Sequence, residues 1–208
     1  MIKAVIFDID GVLIDSFEAN HKFFCDLLKK FGHNFYDKEE YRHHFHVPMK
    51  GLIKHSSKLE DEEEIEKIWR AGRDKEVPYP HKLLTAPEQM NEIIEKLSKD
   101  YKLGIVSGRV RESIYSVPQL KKLEEYFKVV VAYQDTDNHK PHPDPLLLAA
   151  QKLGISPEEC VYIGDAESDI VAAKAAGMKS IMYARNKSQS ADVSTSVFSE
   201  IPELILKL

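Results

Sequence analysis

The sequence predicts an α/β protein, a parallel doubly wound sheet with a helical unit inserted after its first strand, and three observations predict it. The apolar run Ala4-Val5-Ile6-Phe7 stops abruptly at Asp8-Ile9-Asp10-Gly11, as a buried strand does when it leaves a sheet. From about Lys82 onward, strand-like and helix-like segments alternate at the spacing of βα units. Between Asp15 and about His81 that alternation disappears and the chain reads as helical, with Trp69 and many charges. The expected division is therefore a core of residues 1–14 and 82–208, with residues 15–81 forming the inserted helical unit.

The elements follow in order. After the strand at 4–7 and the helical insert, Met90, Ile93, Ile94 and Leu97 have the spacing of an amphipathic helix over 87–99. Residues 102–106 form a strand ending at Ser107-Gly108, 120–127 a helix and 128–132 a strand. Asp144-Pro145 reads as an N-cap followed by proline at the first helical position, and Gly154 ends that helix. Ser156-Pro157-Glu158-Glu159 repeats the start signal with a capping-box glutamate. Then come a strand at 161–164, an alanine-rich helix at 167–176 stopped by Gly177, and a strand at 180–183. Residues 186–199 read as loop with one short edge strand, and 201–208 as a closing helix.

Composition removes several functional classes. A length of 208 residues with 43% hydrophobic content can bury a substantial core. The formal net charge of -5 argues against nucleic acid as the main partner, since duplex binding needs a basic face. Two cysteines, Cys25 and Cys160, make no disulfide framework, and Cys160 reads as a small core residue. No apolar run approaches the roughly 20 residues of a membrane span, and Asp8 and Asp10 interrupt what a secretory leader would need. The expectation is a cytoplasmic protein without a membrane partner.

Reactive groups cluster at four strand ends. Asp8 and Asp10 leave the first strand on the same side, because side chains alternate. Two such carboxylates repel by about 4 kcal/mol at an effective dielectric near 20, so a fold keeps them for a cation, a shared proton or a chemical use. Gly11 permits the tight turn that brings backbone amides toward a ligand. Ser107-Gly108-Arg109 follows a second strand, Lys140 lies in Lys140-Pro141-His142-Pro143-Asp144, and Gly164-Asp165-Ala166-Glu167-Ser168-Asp169 follows another strand. In a parallel sheet these ends converge on one crevice.

The set resembles the haloacid dehalogenase superfamily of phosphotransferases. The motif DxDGxxxDS stands complete at residues 8–16, and the helical insert falls where the subclass with a cap after this motif places it. KPxPDP, then GDxxxD and an alanine-rich helix, is similar to the phosphoglycolate phosphatase and β-phosphoglucomutase-like branch. The resemblance implies that Asp8 is the nucleophile and forms an aspartyl phosphate, with Asp10 as general acid and then base. It implies Ser107, the Gly108 amide, Arg109 and Gly11 around the phosphoryl group, and Lys140 as its counter-charge. Mg²⁺ would be held by Asp8, Asp165 and the backbone carbonyl of Asp10, with Asp169 in the outer shell. The expected reaction is Mg²⁺-dependent hydrolysis of a small phosphorylated metabolite. Two alternatives stay open, a sugar phosphomutase and, from a different class, a phospho-receiver or binding protein.

The helical insert carries its own signal. Between Glu40 and Glu60 the chain has no acidic residue but holds Arg42, His43, His44, His46, Lys50, Lys54, His55 and Lys58. This window either attracts anionic substrates or pairs with the acidic run 60–66, and the resemblance to the family implies that Met49-Lys50-Gly51 is the specificity loop of the insert, with Lys50 as a substrate contact. The histidines lack cysteine or carboxylate partners at the spacing of a zinc site.

Overall fold

Strand β1 (Ala4–Phe7) is the middle of the sheet because all four of its side chains are apolar and all four are buried. The structure, a computed structural model, describes residues 1–45, 47–184 and 188–208. Beside β1 lie β2 (Lys102–Val106), β3 (Phe127–Val131), β4 (Cys160–Gly164), β5 (Lys179–Tyr183) and the short β6 (Val193–Thr195). Their order is β3-β2-β1-β4-β5-β6, and every pairing is parallel. The chain thus runs to one side of β1 for β2 and β3 and to the other for β4 to β6. Such a reversal opens a crevice at the carboxyl ends of the strands flanking it.

The chain divides into two compact units, residues 1–15 with 85–208, and residues 16–84. Within the first, Asp15 and Thr85 exchange backbone hydrogen bonds of 2.9 and 3.2 Å in an antiparallel bridge. The second is helical, with α1 (Phe17–Lys30), α2 (Lys38–His44), α3 (Met49–Ser57) and α4 (Glu62–Arg73). Its core includes Phe23, Phe24, Leu27, Leu28, Tyr41, Leu52, Ile53, Ile65 and Ile68, with Phe31 and Trp69 packed at the margin. These aromatics are hydrophobic core, as their helical spacing implies.

In the first unit the crossovers use α5 (Met90–Asp100), then α6 (Arg111–Ile114) and α7 (Pro118–Lys121), then α8 (Asp144–Leu153) and α9 (Glu167–Ala175), with α10 (Ile201–Ile205) after β6. Both faces of the sheet are covered, as parallel sheets require. Ala4 and Ile6 face a cluster that includes Tyr162, Leu146, Ala149, Ala150, Ala172 and Ala173. On the other face Phe7 meets Phe127 edge-on at 6.2 Å and stacks on Phe198 at 6.5 Å. The thiol of Cys160 is buried in the first cluster, and burial pushes it up to about 11, so it is an inert core residue at neutral pH.

Three boundaries differ from expectation. Ser156-Pro157-Glu158-Glu159 makes only one 3₁₀ turn, Pro157–Glu159, and the Ser156 side chain caps nothing, because β4 begins at Cys160 and leaves no room for another turn. Asp144 is the first residue of α8 rather than its cap, a position held by Pro143. The expected helix at 120–127 is broken into α7 and a 3₁₀ turn, Glu124–Tyr126, since Phe127 already belongs to β3. Of the expected loop at 186–199, Asn186 and Lys187 lie outside the described residues, and the edge strand is β6.

In the helical unit, the Asp61 side chain accepts from the Glu63 and Glu64 amides at 2.9 and 3.4 Å and caps α4. Asp61→Ala should lower stability by about 1 kcal/mol, read as a lower thermal midpoint. Asp61→Asn should lose much less.

Candidate active site

Asp8 continues β1 by one residue, and its amide still donates to the Ile163 carbonyl of β4 at 2.9 Å. The sheet register therefore sets the position of its carboxylate. Oδ1 accepts from the Ile9 amide at 2.7 Å and Oδ2 lies 2.9 Å from the Lys140 ammonium. Burial raises the Asp8 carboxyl to about 7, with Asp169 and Asp10 adding to the rise and Lys140 opposing it.

Lys140 is the hub. Its Nζ lies 2.9 Å from Asp8 Oδ2, 2.7 Å from Asp169 Oδ1 and 2.9 Å from the Tyr162 hydroxyl. An ammonium has three protons to donate, so these contacts use all of them. Burial alone would push Lys140 down, yet Asp169 and Asp8 hold it well above its usual range. The Lys140-Pro141 peptide bond is cis. Tyr162 is a partner that sequence reasoning missed. It is wholly buried in β4, and its hydroxyl also reaches the Val106 carbonyl at 3.3 Å. The available signal was a tyrosine inside an otherwise apolar central strand, whose hydroxyl must find a polar partner.

Asp169 has one oxygen on Lys140, while the other accepts from the amides of Asp165 and Ala166 at 3.2 and 3.1 Å. It thus ties the turn after β4 to the lysine. A Cβ at Gly164 would overlap the Asp169 side chain, so only glycine allows that close approach. Gly11 does the same for Asp165. It has φ +81°, and a Cβ there would overlap the Asp165 carboxylate. The Gly11 amide, expected to face a ligand, donates instead to the Ile14 carbonyl at 2.8 Å.

Asp165 has a buried Oδ1 with no hydrogen-bond partner among the described residues. Burial raises its carboxyl to about 9, with Asp8 and Asp169 reinforcing the rise. Oxygens of Asp8, Asp165 and Asp169 lie within 4.8 Å of one another. An orphaned oxygen amid crowded carboxylates fits a hard cation, which takes oxygen ligands. The Asp10 carboxylate lies outside this group. Of the expected ligand set, its backbone carbonyl is the part left for such an ion.

Asp10 is held elsewhere. Arg109 Nε donates to its Oδ2 at 2.7 Å and Arg109 Nη2 to its Oδ1 at 2.6 Å, a two-pronged pair. Arg109, expected around the phosphoryl group, has its guanidinium on this carboxylate. The buried Ser107 hydroxyl accepts from the Arg109 amide at 3.2 Å, and Gly108 is exposed with open space where a Cβ would stand. Asp8, Asp10, Gly11, Ser107, Gly108, Arg109, Lys140 and Asp165 thus belong to loops at the carboxyl ends of the strands, and Asp169 to the first turn of α9 that follows β4.

Lys50 belongs to the helical unit. Its ammonium pairs with Glu66 at 2.6 Å and lies 4.6 Å from the Trp69 ring centre. Lys54 pairs with Glu62 at 2.7 Å. These two lysines of the basic window therefore pair with two acids of the run that follows it. His46 lies outside the described residues.

Comparison with known proteins agrees with this geometry. The sequence pattern of haloacid dehalogenase-like hydrolases matches residues 5–183. The chain is 35% identical over 181 residues to the pyrophosphatase PpaX of Bacillus cereus (strain AH820), covering 86% of this chain and 81% of that one. Its structure is similar to a subfamily IA hydrolase of the same superfamily from Geobacter sulfurreducens, with a TM-score of 0.75, 30% identity and coverage of 98% and 96%. It also shares the fold of CbbY from Rhodobacter sphaeroides, solved with phosphate, at a TM-score of 0.84, 24% identity and full coverage of both chains.

The raised carboxyl of Asp165 has a sign that can be checked. Folding holds a proton that the unfolded chain releases near 3.8, so ion-free stability falls as pH rises from about 4 to about 9. Asp165→Asn in excess chelator should therefore raise the thermal midpoint at both pH values, and more at pH 8 than at pH 5. An equal shift at both pH values would show that Asp165 carries no such penalty.

Proposed function

The chain belongs to the haloacid dehalogenase-like hydrolase family, and we propose that it is a Mg²⁺-dependent phosphatase that hydrolyses a small phosphorylated metabolite through an aspartyl phosphate on Asp8. The observation that carries this reading is the fixed Asp8 carboxylate, held by Lys140 and the Ile9 amide beside the orphaned oxygen of Asp165.

Each residue has a part in the chemistry. An Asp8 oxygen attacks phosphorus, the bond from phosphorus to the leaving oxygen breaks, and the phosphoryl group passes to Asp8. Asp10 supplies a proton to a leaving oxygen that needs one, then takes a proton from the water that attacks the aspartyl phosphate. Ser107 and the Gly108 amide are donors for the transferring oxygens. Lys140 fixes Asp8 and balances charge, and Asp169 and Tyr162 fix Lys140. Asp8, Asp165 and the Asp10 carbonyl would hold Mg²⁺, which when bound supplies positive charge against the phosphoryl oxygens. Phosphate monoesters can need acceleration of up to about 10²¹-fold, so these parts must act together.

The experiment is phosphate release across a panel of phosphorylated metabolites with Mg²⁺. Pyrophosphate belongs in the panel because the PpaX relative is named for it. Conversion of β-glucose 1-phosphate to glucose 6-phosphate, assayed alongside, tests the mutase reading. No phosphate release from any member would overturn the proposal.

Asp8→Asn is nearly isosteric and should keep the fold while losing more than about a hundredfold of activity, or roughly 2.7 kcal/mol of barrier reduction. Substantial turnover in this variant would exclude the covalent route.

Mg²⁺ should raise the thermal midpoint more at pH 8 than at pH 5, since Asp8 near 7 and Asp165 near 9 must give up protons to bind it. This stabilisation should vanish in Asp165→Asn, a readout independent of turnover.

A further inference from the structure

The buried Tyr162 reaches across the sheet. It stands on β4 beside Ile6 of β1, and β1 separates β4 from β2. Strands lie about 4.8 Å apart, so β2 is roughly 10 Å away, a span the tyrosine side chain bridges. Its hydroxyl lies 2.9 Å from Lys140 Nζ and 3.3 Å from the Val106 carbonyl. A phenol oxygen can accept and donate at once. It accepts from the ammonium and gives its own proton to Val106, the nearer of two acceptors, since Asp169 Oδ1 lies at 3.5 Å.

The two groups it touches belong to different parts of the chain. Val106 ends β2, and Ser107 follows it with its amide on the Val131 carbonyl at 3.0 Å. Lys140 lies in the segment between β3 and α8. Ser107 and Lys140 are both assigned above to the phosphoryl group, so their separation must match its oxygens. Asp8 and Asp169 take two of the three ammonium protons and Tyr162 the third. Without the hydroxyl the two carboxylates alone would set the ammonium, with nothing to tie it to the end of β2.

Resting on the proposed roles of Lys140 and Ser107 at the phosphoryl group, we propose that Tyr162 is a positioning residue, a strut that fixes Lys140 relative to the Ser107 loop. Its hydroxyl touches no substrate and acts through the lysine. The chemistry is sensitive to such placement, since a shift of about 1 Å at a reacting group can slow it by roughly a hundredfold. The same strut should matter for binding a phosphate ion, which both groups would grip.

The test is the affinity for inorganic phosphate with Mg²⁺, read by calorimetry, together with kcat on the best substrate of the panel above. It compares wild type, Tyr162→Phe, Lys140→Met, Ser107→Ala and the double variant Tyr162→Phe/Lys140→Met, each checked by thermal unfolding. Tyr162→Phe should weaken phosphate binding by about three- to tenfold and lower kcat by about tenfold, as the loss of one hydrogen bond to a charged group allows. Added to Lys140→Met, it should change phosphate affinity by less than about twofold, because the residue it acts through is gone. If Lys140→Met does not fold, Ser107→Ala replaces it in the cycle, since alignment of two groups matters less once one is removed. Tyr162→Met, apolar and flexible, likewise stands in for Tyr162→Phe. A lower thermal midpoint with phosphate affinity and kcat as in wild type would show a tyrosine that only fills the core, and the proposal fails. It fails also if Tyr162→Phe weakens binding as much beside Lys140→Met as in wild type. If wild type binds no phosphate, or neither Lys140→Met nor Ser107→Ala weakens its binding, the phosphoryl-site reading fails and this inference falls with it.

Discussion

The arrangement depends on one buried ammonium. Lys140 stands between Asp8 and Asp169, and without it two carboxylates with side chains 12% and 2% exposed would face each other across an apolar sheet edge. Removing one partner of a buried ion pair costs about 3–5 kcal/mol because the other charge remains. Here the lysine serves several neighbours at once. It orients Asp8, anchors Asp169, and through Asp169 holds the Asp165 and Ala166 amides that lead into α9. Tyr162 completes its shell from within the sheet. The geometry of Asp8 is thereby linked to the core.

Charge counting around this centre explains the remaining strain. Among the described residues, Asp8, Asp10, Asp165 and Asp169 set four carboxyl groups against two cations, Lys140 and Arg109. Full ionisation would leave two negative charges, and the ion-free site relieves them by raising the carboxyls of Asp8 and Asp165. A divalent cation would cancel the same two charges. The glycines at 11 and 164 are the backbone's share of the arrangement, since each stands where a side chain would overlap one of these acids. Crowding of this kind opposes stability and persists where the surrounding fold over-determines it.

Much of this was legible in the sequence because strand ends are chemically conspicuous. The apolar runs at 4–7, 102–106 and 161–164 are strands within a residue of their expected limits, and the acids, serine and lysine following the strands lie at the carboxyl ends as parallel topology demands. What stayed illegible was pairing. Nothing in the spacing of Asp10 and Arg109, 99 residues apart, says that they will meet. A tyrosine in an apolar strand signals that its hydroxyl needs a partner but does not name Lys140 as that partner, and Ser156-Pro157-Glu158-Glu159 has the letters of a helix start while the next strand cuts it to one turn. In the helical unit the basic window offered two readings, and the structure adds that Lys50 and Lys54 pair with Glu66 and Glu62. Paired exposed charges contribute little field beyond a Debye length.

The two cations of the site divide its work according to their shapes. A lysine ammonium is compact and can satisfy three acceptors arranged around a point, which suits Lys140 among Asp8, Asp169 and Tyr162. An arginine guanidinium is planar and matches one carboxylate along an edge, which suits Arg109 and Asp10. Exchanging them would leave the net charge unchanged and the geometry wrong at both places, because a lysine cannot hold two oxygens in a plane and a guanidinium cannot gather three acceptors about one nitrogen. Asp8 is held by a point charge and Asp10 by a fork. That difference in shape, rather than in charge, separates the roles of two aspartates that stand two residues apart in the chain.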